Sequence, residues 1–288
     1  MIGACVVAIG IAGGFFMRSV PASSETEDVG LPVVFNPMTT AIMPGCESFS
    51  SDNGPLGVLV LHGFTGNPAS MRSLAERIAA SGYSVELPRL PGHGTTIDDM
   101  MTTDWSDWSN AAVAAFDALS ERCERVGVVG LSMGGGLSAH VAEVRSQVAA
   151  CVLINPLVKP PVQEILDGLN ALLDEGITTI GSIGSDIKKE DSVETCYELT
   201  PLACAASLFE AMKVVNAALT TITAPTLLLS SREDDVVTSD NGDDIVEKIT
   251  GPVERVWLED SYHMATMDND QELVESSTVA FLDRILKS

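Results

Sequence analysis

Positive charge is scarce in this chain. Sixteen lysines and arginines stand against forty aspartates and glutamates, a formal net charge of −24 over 288 residues. That balance argues against nucleic acid and anionic lipid headgroups as partners, since both bind through cationic side chains. The surplus acid reads as a well-solvated surface, with adaptation to high salt as the sharper alternative. Paired cysteines are also missing. Cys5, Cys46, Cys123, Cys151, Cys196 and Cys204 are scattered, with no C-x-x-C pair and no histidine at metal-ligand spacing, so no zinc or other metal site is expected. Cys151 lies inside an apolar run, where a buried free thiol is the usual outcome.

The N-terminus lacks the basic stretch that opens a secretory signal. Met1 to Met17 is apolar or glycine throughout, and Arg18 follows. Seventeen residues, four of them glycine, stand at the short end of what spans a bilayer. Three readings stay open: an anchor whose Arg18 keeps the next domain on the cytoplasmic side, an export segment, or a start upstream of the true one, since Met17, Met38 and Met43 follow in frame. Residues 1–44 are expected to be an apolar segment and a poorly ordered linker, with membrane contact only through Met1 to Met17. A cytoplasmic location is the expectation, with anchoring or export as the alternative.

What the chain does contain is a hydroxyl between two glycines. In Gly130-Leu131-Ser132-Met133-Gly134, an apolar run from Val126 to Val129 reads as a buried strand, and Ala139 to Val144 continues a helical pattern. The chain must therefore reverse sharply at Ser132. A serine there sits in a strained conformation, and the flanking glycines remove the β-carbons that would clash. A glycine-rich turn with an incidental serine gives the same five letters; strand before and helix after favour a nucleophile elbow.

Strands at Gly57 to Leu61, Tyr83 to Leu87, Val126 to Val129 and Ala149 to Ile154 alternate with helices at Ser70 to Ala80 and Trp105 to Leu119. That order predicts an α/β fold with a mostly parallel central sheet flanked by helices, which binds ligands at the carboxyl ends of its strands. Ser132 falls at such an end. After Asn155 the alternation breaks. Residues 156–223 show no convincing strand, only helical patterns at Val162 to Leu173 and Pro201 to Leu219 around the Gly/Ser/Thr-rich stretch Gly176 to Ser185. They read as a small helical cap over the strand ends, inserted in a single domain of residues 45–288. Ile165, Leu169, Phe209 and Met212 are the candidate acyl-binding residues of its under-face; packing of the cap onto the domain is the alternative for each.

The sheet resumes at Pro225 to Ser230, and Arg232-Glu233-Asp234-Asp235 places acids just past that strand. Arg255 to Leu258 then leads to Glu259-Asp260-Ser261-Tyr262-His263, which places a histidine likewise. Serine, acid and histidine thus stand in loops on one edge of one sheet. A nucleophilic serine needs a base for its proton and an acid to hold that base in the right tautomer. The tetrahedral intermediate also needs N–H donors. His62-Gly63-Phe64-Thr65-Gly66 follows the first clear strand and can aim the Phe64 N–H inward, with the Met133 N–H as its partner. His62, His93 and His140 are read as structural.

Leu61-His62-Gly63-Phe64-Thr65-Gly66, Leu90-Pro91-Gly92-His93-Gly94, Gly130-Leu131-Ser132-Met133-Gly134-Gly135, Arg232-Glu233-Asp234 and Ser261-Tyr262-His263 together resemble the α/β-hydrolase superfamily. Within it they are similar to the small bacterial carboxylesterases and monoacylglycerol lipases, in which a short helical cap covers the serine. The likeness runs from Gly45 to Leu286 and does not reach the N-terminal apolar run. It implies Ser132 as nucleophile, Asp234 as triad acid and His263 as base, with Phe64 and Met133 giving the oxyanion N–H groups and no metal or organic cofactor. Asp235, one residue on, is the alternative acid. The implied reaction is acyl transfer to water from neutral short-to-medium-chain esters or monoacylglycerols. Thioester, amide or peroxy chemistry on the same residues is the alternative, as is a non-catalytic ligand-binding protein of this fold.

Overall fold

The computed structural model describes residues 41–182 and 186–288. The expectations for Met1 to Met17, the linker up to residue 40 and Cys5 lie outside the described residues.

A short strand β1 (Phe49–Ser51) precedes β2 (Leu56–Leu61), whose Gly57-Val58-Leu59-Val60-Leu61 is buried on both faces, as the middle of a parallel sheet requires. A 3₁₀ turn at Pro68–Met71, capped by the Asn67 side chain, leads into α1 (Arg72–Ala80), and β3 (Ser84–Leu87) follows. The short helix α2 (Ile97–Met100) and α3 (Trp105–Ser120) come next. Asp104 starts α3 with a reciprocal capping box to Asp107, which satisfies backbone donors that the first turn leaves open. Then come β4 (Arg125–Leu131), α4 (Met133–Val144) and β5 (Val148–Ile154).

Beyond β5 the chain makes α5 (Gln163–Asp174), β6 (Thr179–Gly181), β7 (Leu199–Pro201) and α6 (Leu202–Ala218). The main sheet continues with β8 (Thr226–Ser231), α7 (Asp240–Lys248), β9 (Val253–Leu258) and α8 (Gln271–Leu286). Its seven strands run β1-β3-β2-β4-β5-β8-β9, parallel except for β1.

Alternation along the strands divides the core in two. Leu59, Leu61, Val128 and Leu153 point to the face covered by α3, α4, α6 and α7, while Val58, Val60, Val129 and Val152 face α1 and α8. The expected α/β-hydrolase architecture is thus present. The strand-free expectation for residues 156–223 is corrected, because β6 and β7 pair antiparallel there, Thr179 opposite Pro201 and Gly181 opposite Leu199. Three residues per strand are too few to show a period of two. Apolar α6, with the 3₁₀ turn Leu219–Thr221 after it, is long enough to cross a bilayer. Its Leu208, Phe209, Met212 and Val215 are instead buried in the domain core.

Phe116, fully buried where α3 meets the sheet, tests the larger core. Phe116→Ala is expected to cost about 3 to 5 kcal/mol, read as a lowered denaturant midpoint at unchanged slope.

Candidate active site

Ser132 joins β4 to α4 with φ 57° and ψ −122°, a left-handed conformation that costs a residue with a β-carbon on the order of 1–3 kcal/mol. The surroundings hold it there. Its N–H donates to the Ile154 carbonyl at 3.0 Å, and its carbonyl accepts from Gly135 at 2.9 Å, Gly136 at 3.1 Å and Leu157 at 3.0 Å. A β-carbon at Gly130 would overlap the Gly134 carbonyl, and one at Gly134 would overlap that of Leu61. Only glycine at both positions lets α4 start this close to the sheet.

The turn after β2 abuts the serine: a β-carbon at Gly63 would stand 3.4 Å from Ser132 Cβ. Thr65 in that turn has φ 59°, and the Phe64 ring meets Trp108 edge-on at 5.7 Å. Met133 begins α4, so its N–H has no intrahelical acceptor. Neither it nor the Phe64 N–H has a backbone acceptor elsewhere among the described residues. His62 serves the turn. The Leu90 N–H donates to its Nε2 at 3.2 Å, so the proton sits on Nδ1, 3.0 Å from the Gly63 carbonyl. Burial, aided by the nearby His93, pushes the His62 imidazole down to about 3. His93 is buried beside it, and His140 lies on α4 against Trp105.

Asp234 is buried in the loop after β8. Its Oδ1 accepts the N–H groups of Val236 at 2.9 Å and Val237 at 2.8 Å, and its Oδ2 lies 2.8 Å from His263 Nδ1. Asp235 is exposed. Burial opposes a charged His263 imidazole, but the Asp234 carboxylate, together with Asp186 and Glu194, outweighs it and raises the imidazole above 6.5. No hydrogen bond joins Ser132 Oγ to His263 among the described residues. Asn155 at the end of β5, which has φ 39°, ties the histidine loop to the end of β8. Its Nδ2 donates to the His263 carbonyl at 2.8 Å and to Ser231 Oγ at 2.9 Å, and its Oδ1 accepts the Ser231 N–H at 2.7 Å.

Of the four expected cap residues, Leu169 and Met212 are fully buried, Phe209 nearly so, and Ile165 is half-buried against them. A β-carbon at Gly136 would stand 3.4 Å from the Met212 sulfur, so Met212 reaches the first turn of α4. Asn155, Asp186 and Glu194 escaped the sequence reading. Glu194 Oε1 would stand 3.2 Å from a β-carbon at Gly66, and burial pushes its carboxyl up to about 7. Cys151 is buried and free, its thiol pushed up to about 12 by burial. No group of three or more histidines, cysteines or acids is arranged for a metal ion among the described residues.

A strained serine at an elbow and a buried acid–histidine pair at neighbouring ends of a parallel sheet define a lipase- or esterase-like serine hydrolase with the α/β-hydrolase fold. The family described as serine aminopeptidase, S33, matches residues 56–270, and the chain belongs to it. It is similar to a thermostable monoacylglycerol lipase of Bacillus sp. (strain H-257), 42% identical over 83% of this chain and 95% of that protein. A carboxylesterase of Bacillus subtilis (strain 168) is 26% identical over 82% of this chain and 96% of its own length. Among solved structures, one from work on the metagenome-derived lipolytic enzymes LipS and LipT aligns with a TM-score of 0.81 and 40% identity, over 85% of this chain and 100% of that one.

Two outcomes follow from the geometry. Asp234→Asn is expected to lower kcat by about 10³ to 10⁴, whereas exposed Asp235→Asn stays within a few-fold; steady-state kinetics on one ester compare them. Because the His263 imidazole is raised above 6.5, its basic form is lost as pH falls through a value above 6.5. The acid limb of kcat/KM against pH is therefore expected above 6.5.

Proposed function

We propose that this protein hydrolyses neutral short-to-medium-chain carboxylic esters, monoacylglycerols among them, through an acyl-enzyme on Ser132. The observation that carries the proposal is the conformation of Ser132, φ 57° beside the open N–H end of α4, with the buried Asp234–His263 pair at the adjacent strand ends. Asp234 holds the His263 proton on Nδ1, which leaves Nε2 free to accept. Ser132 Oγ attacks the ester carbonyl as His263 takes its proton, and the oxyanion forms against the N–H groups of Phe64 and Met133. Collapse breaks the carbon–oxygen bond, and the leaving alcohol takes the proton from His263. Water, deprotonated by His263, then attacks the acyl-enzyme, releasing the acid and restoring Ser132.

In this reading residues 156–223 are the cap of a single hydrolase domain, residues 45–288, and of the four acyl-chain candidates half-buried Ile165 is the one open to meet the chain, while Leu169, Phe209 and Met212 pack the core. Support for lipid esters comes from the relatives, one a monoacylglycerol lipase and one a carboxylesterase. The family description names an aminopeptidase, so amide cleavage is the second reading. Asp186, with a net charge of −24 over the chain, favours neutral substrates over carboxylates. A cytoplasmic location belongs to the same proposal.

Rates on p-nitrophenyl esters, monoacylglycerols of graded chain length and amino-acid p-nitroanilides test this together. Ester turnover with a medium-chain optimum is expected, lost by at least about 10³-fold in a folded Ser132→Ala variant, with a fluorophosphonate labelling Ser132 alone. Turnover of the anilides and not of the esters would replace ester with amide hydrolysis.

A further inference from the structure

Residues 186–197, the return segment of the cap, are tied at one end to the histidine loop and at the other to the turns beside Ser132. Asp186 Oδ2 accepts the main-chain N–H of His263 at 3.0 Å, and the Asp186 carbonyl accepts that of Met264 at 3.1 Å. The buried Asp268 carboxylate then takes the N–H groups of Lys188 at 2.8 Å, Lys189 at 2.9 Å and Tyr262 at 2.9 Å. At the far end Asn67 Nδ2 donates to the Thr195 carbonyl. The Tyr197 hydroxyl donates to the Gly92 carbonyl at 2.7 Å and accepts the Thr95 N–H at 2.9 Å.

We propose that Asp186 is a positioning residue for His263, fixing the main chain of the base through its carboxylate and stabilising, by its charge, the imidazolium that forms during each acyl transfer. The inference rests on reading Ser132, Asp234 and His263 as the triad. A histidine that takes the serine proton becomes a buried cation, and each nearby carboxylate lowers the free energy of that state. Among the described residues, Asp234 acts on His263 from the loop after β8, and Asp186 and Glu194 from the strap, while the neutral Ser132 stands at the elbow. Asp186 in turn lies within electrostatic reach of Asp234 and Asp235. Lys188 of the strap, over the Tyr262 ring at 5.5 Å, is engaged by Asp260 at 3.1 Å and Glu233 at 3.4 Å. The charges raising the His263 imidazole include Asp186.

An amide in place of the Asp186 carboxylate keeps an acceptor for the His263 N–H and removes the charge. The experiment is kcat/KM against pH on a p-nitrophenyl ester for wild type, Asp186→Asn, Asp186→Ser and Asp186→Glu, with Ser132→Ala alongside. In both neutral variants the acid limb is expected to move to lower pH by about half a unit or more, with kcat falling more than KM changes. Asp186→Glu is expected to restore the acid limb to within about 0.2 unit of wild type. A folded neutral variant whose acid limb matches wild type overturns the proposal. So does loss of folding in both neutral variants, since Asp186 would then serve the fold and not the base. Full activity in Ser132→Ala would overturn the triad reading instead, a result distinct from either.

Discussion

Helix α4 lies nearer the ends of β2 and β4 than any side chain would permit, and the active site depends on that approach. Glycines at 130 and 134 make it possible; the hydrogen bonds from Gly135, Gly136 and Leu157 to the Ser132 carbonyl hold it. The approach forces a positive φ on Ser132, which lifts the hydroxyl off the sheet. It also brings the positive end of the helix dipole to the point where an oxyanion would form. The turn after β2 is drawn in by the same geometry, because Gly63 leaves room for it against Ser132. The placement of Ser132 and of the candidate oxyanion donors is therefore a consequence of one packing constraint.

Charge is handled by a different device. A buried carboxylate is tolerated only when its oxygens are occupied, and Asp234 meets that demand with two main-chain N–H groups and the His263 ring. Asn155 then fixes the backbone on either side of the pair, reaching Ser231 and the His263 carbonyl from the end of β5. Asp186 adds negative charge from the segment of residues 186–197. The carboxylates around the His263 ring favour its charged form.

Much of this was legible in the sequence because the informative residues sit just past strands. Ser132, Asp234 and His263 each follow an apolar run long enough to read, and the fold class followed from the alternation of runs. The elements that escaped are short or remote. β6 and β7 have three residues each, and β1 is equally brief. Asn155, Asp186 and Asp268 act through main-chain groups 76 to 108 positions away, and nothing in the neighbouring residues marks an Asp or Asn as such a partner. The cap leucines carried the opposite difficulty: a helical stripe of apolar residues looks the same whether it packs a core or receives a chain, and Leu169 and Met212 are buried in the core.

The strap of residues 186–197 divides the insertion into two unlike parts. Helix α5 packs by apolar contact through Leu166 and Leu169, and α6 adds hydrogen bonds that tie Ser207 and Asn216 to α3 and α7, whereas the strap is held by hydrogen bonds to the histidine loop and to the turns near Ser132. A hybrid enzyme made by exchanging caps would for that reason be cut inside the insertion, replacing α5 alone, because a graft spanning residues 156–223 would carry away part of the scaffold that holds the base in place.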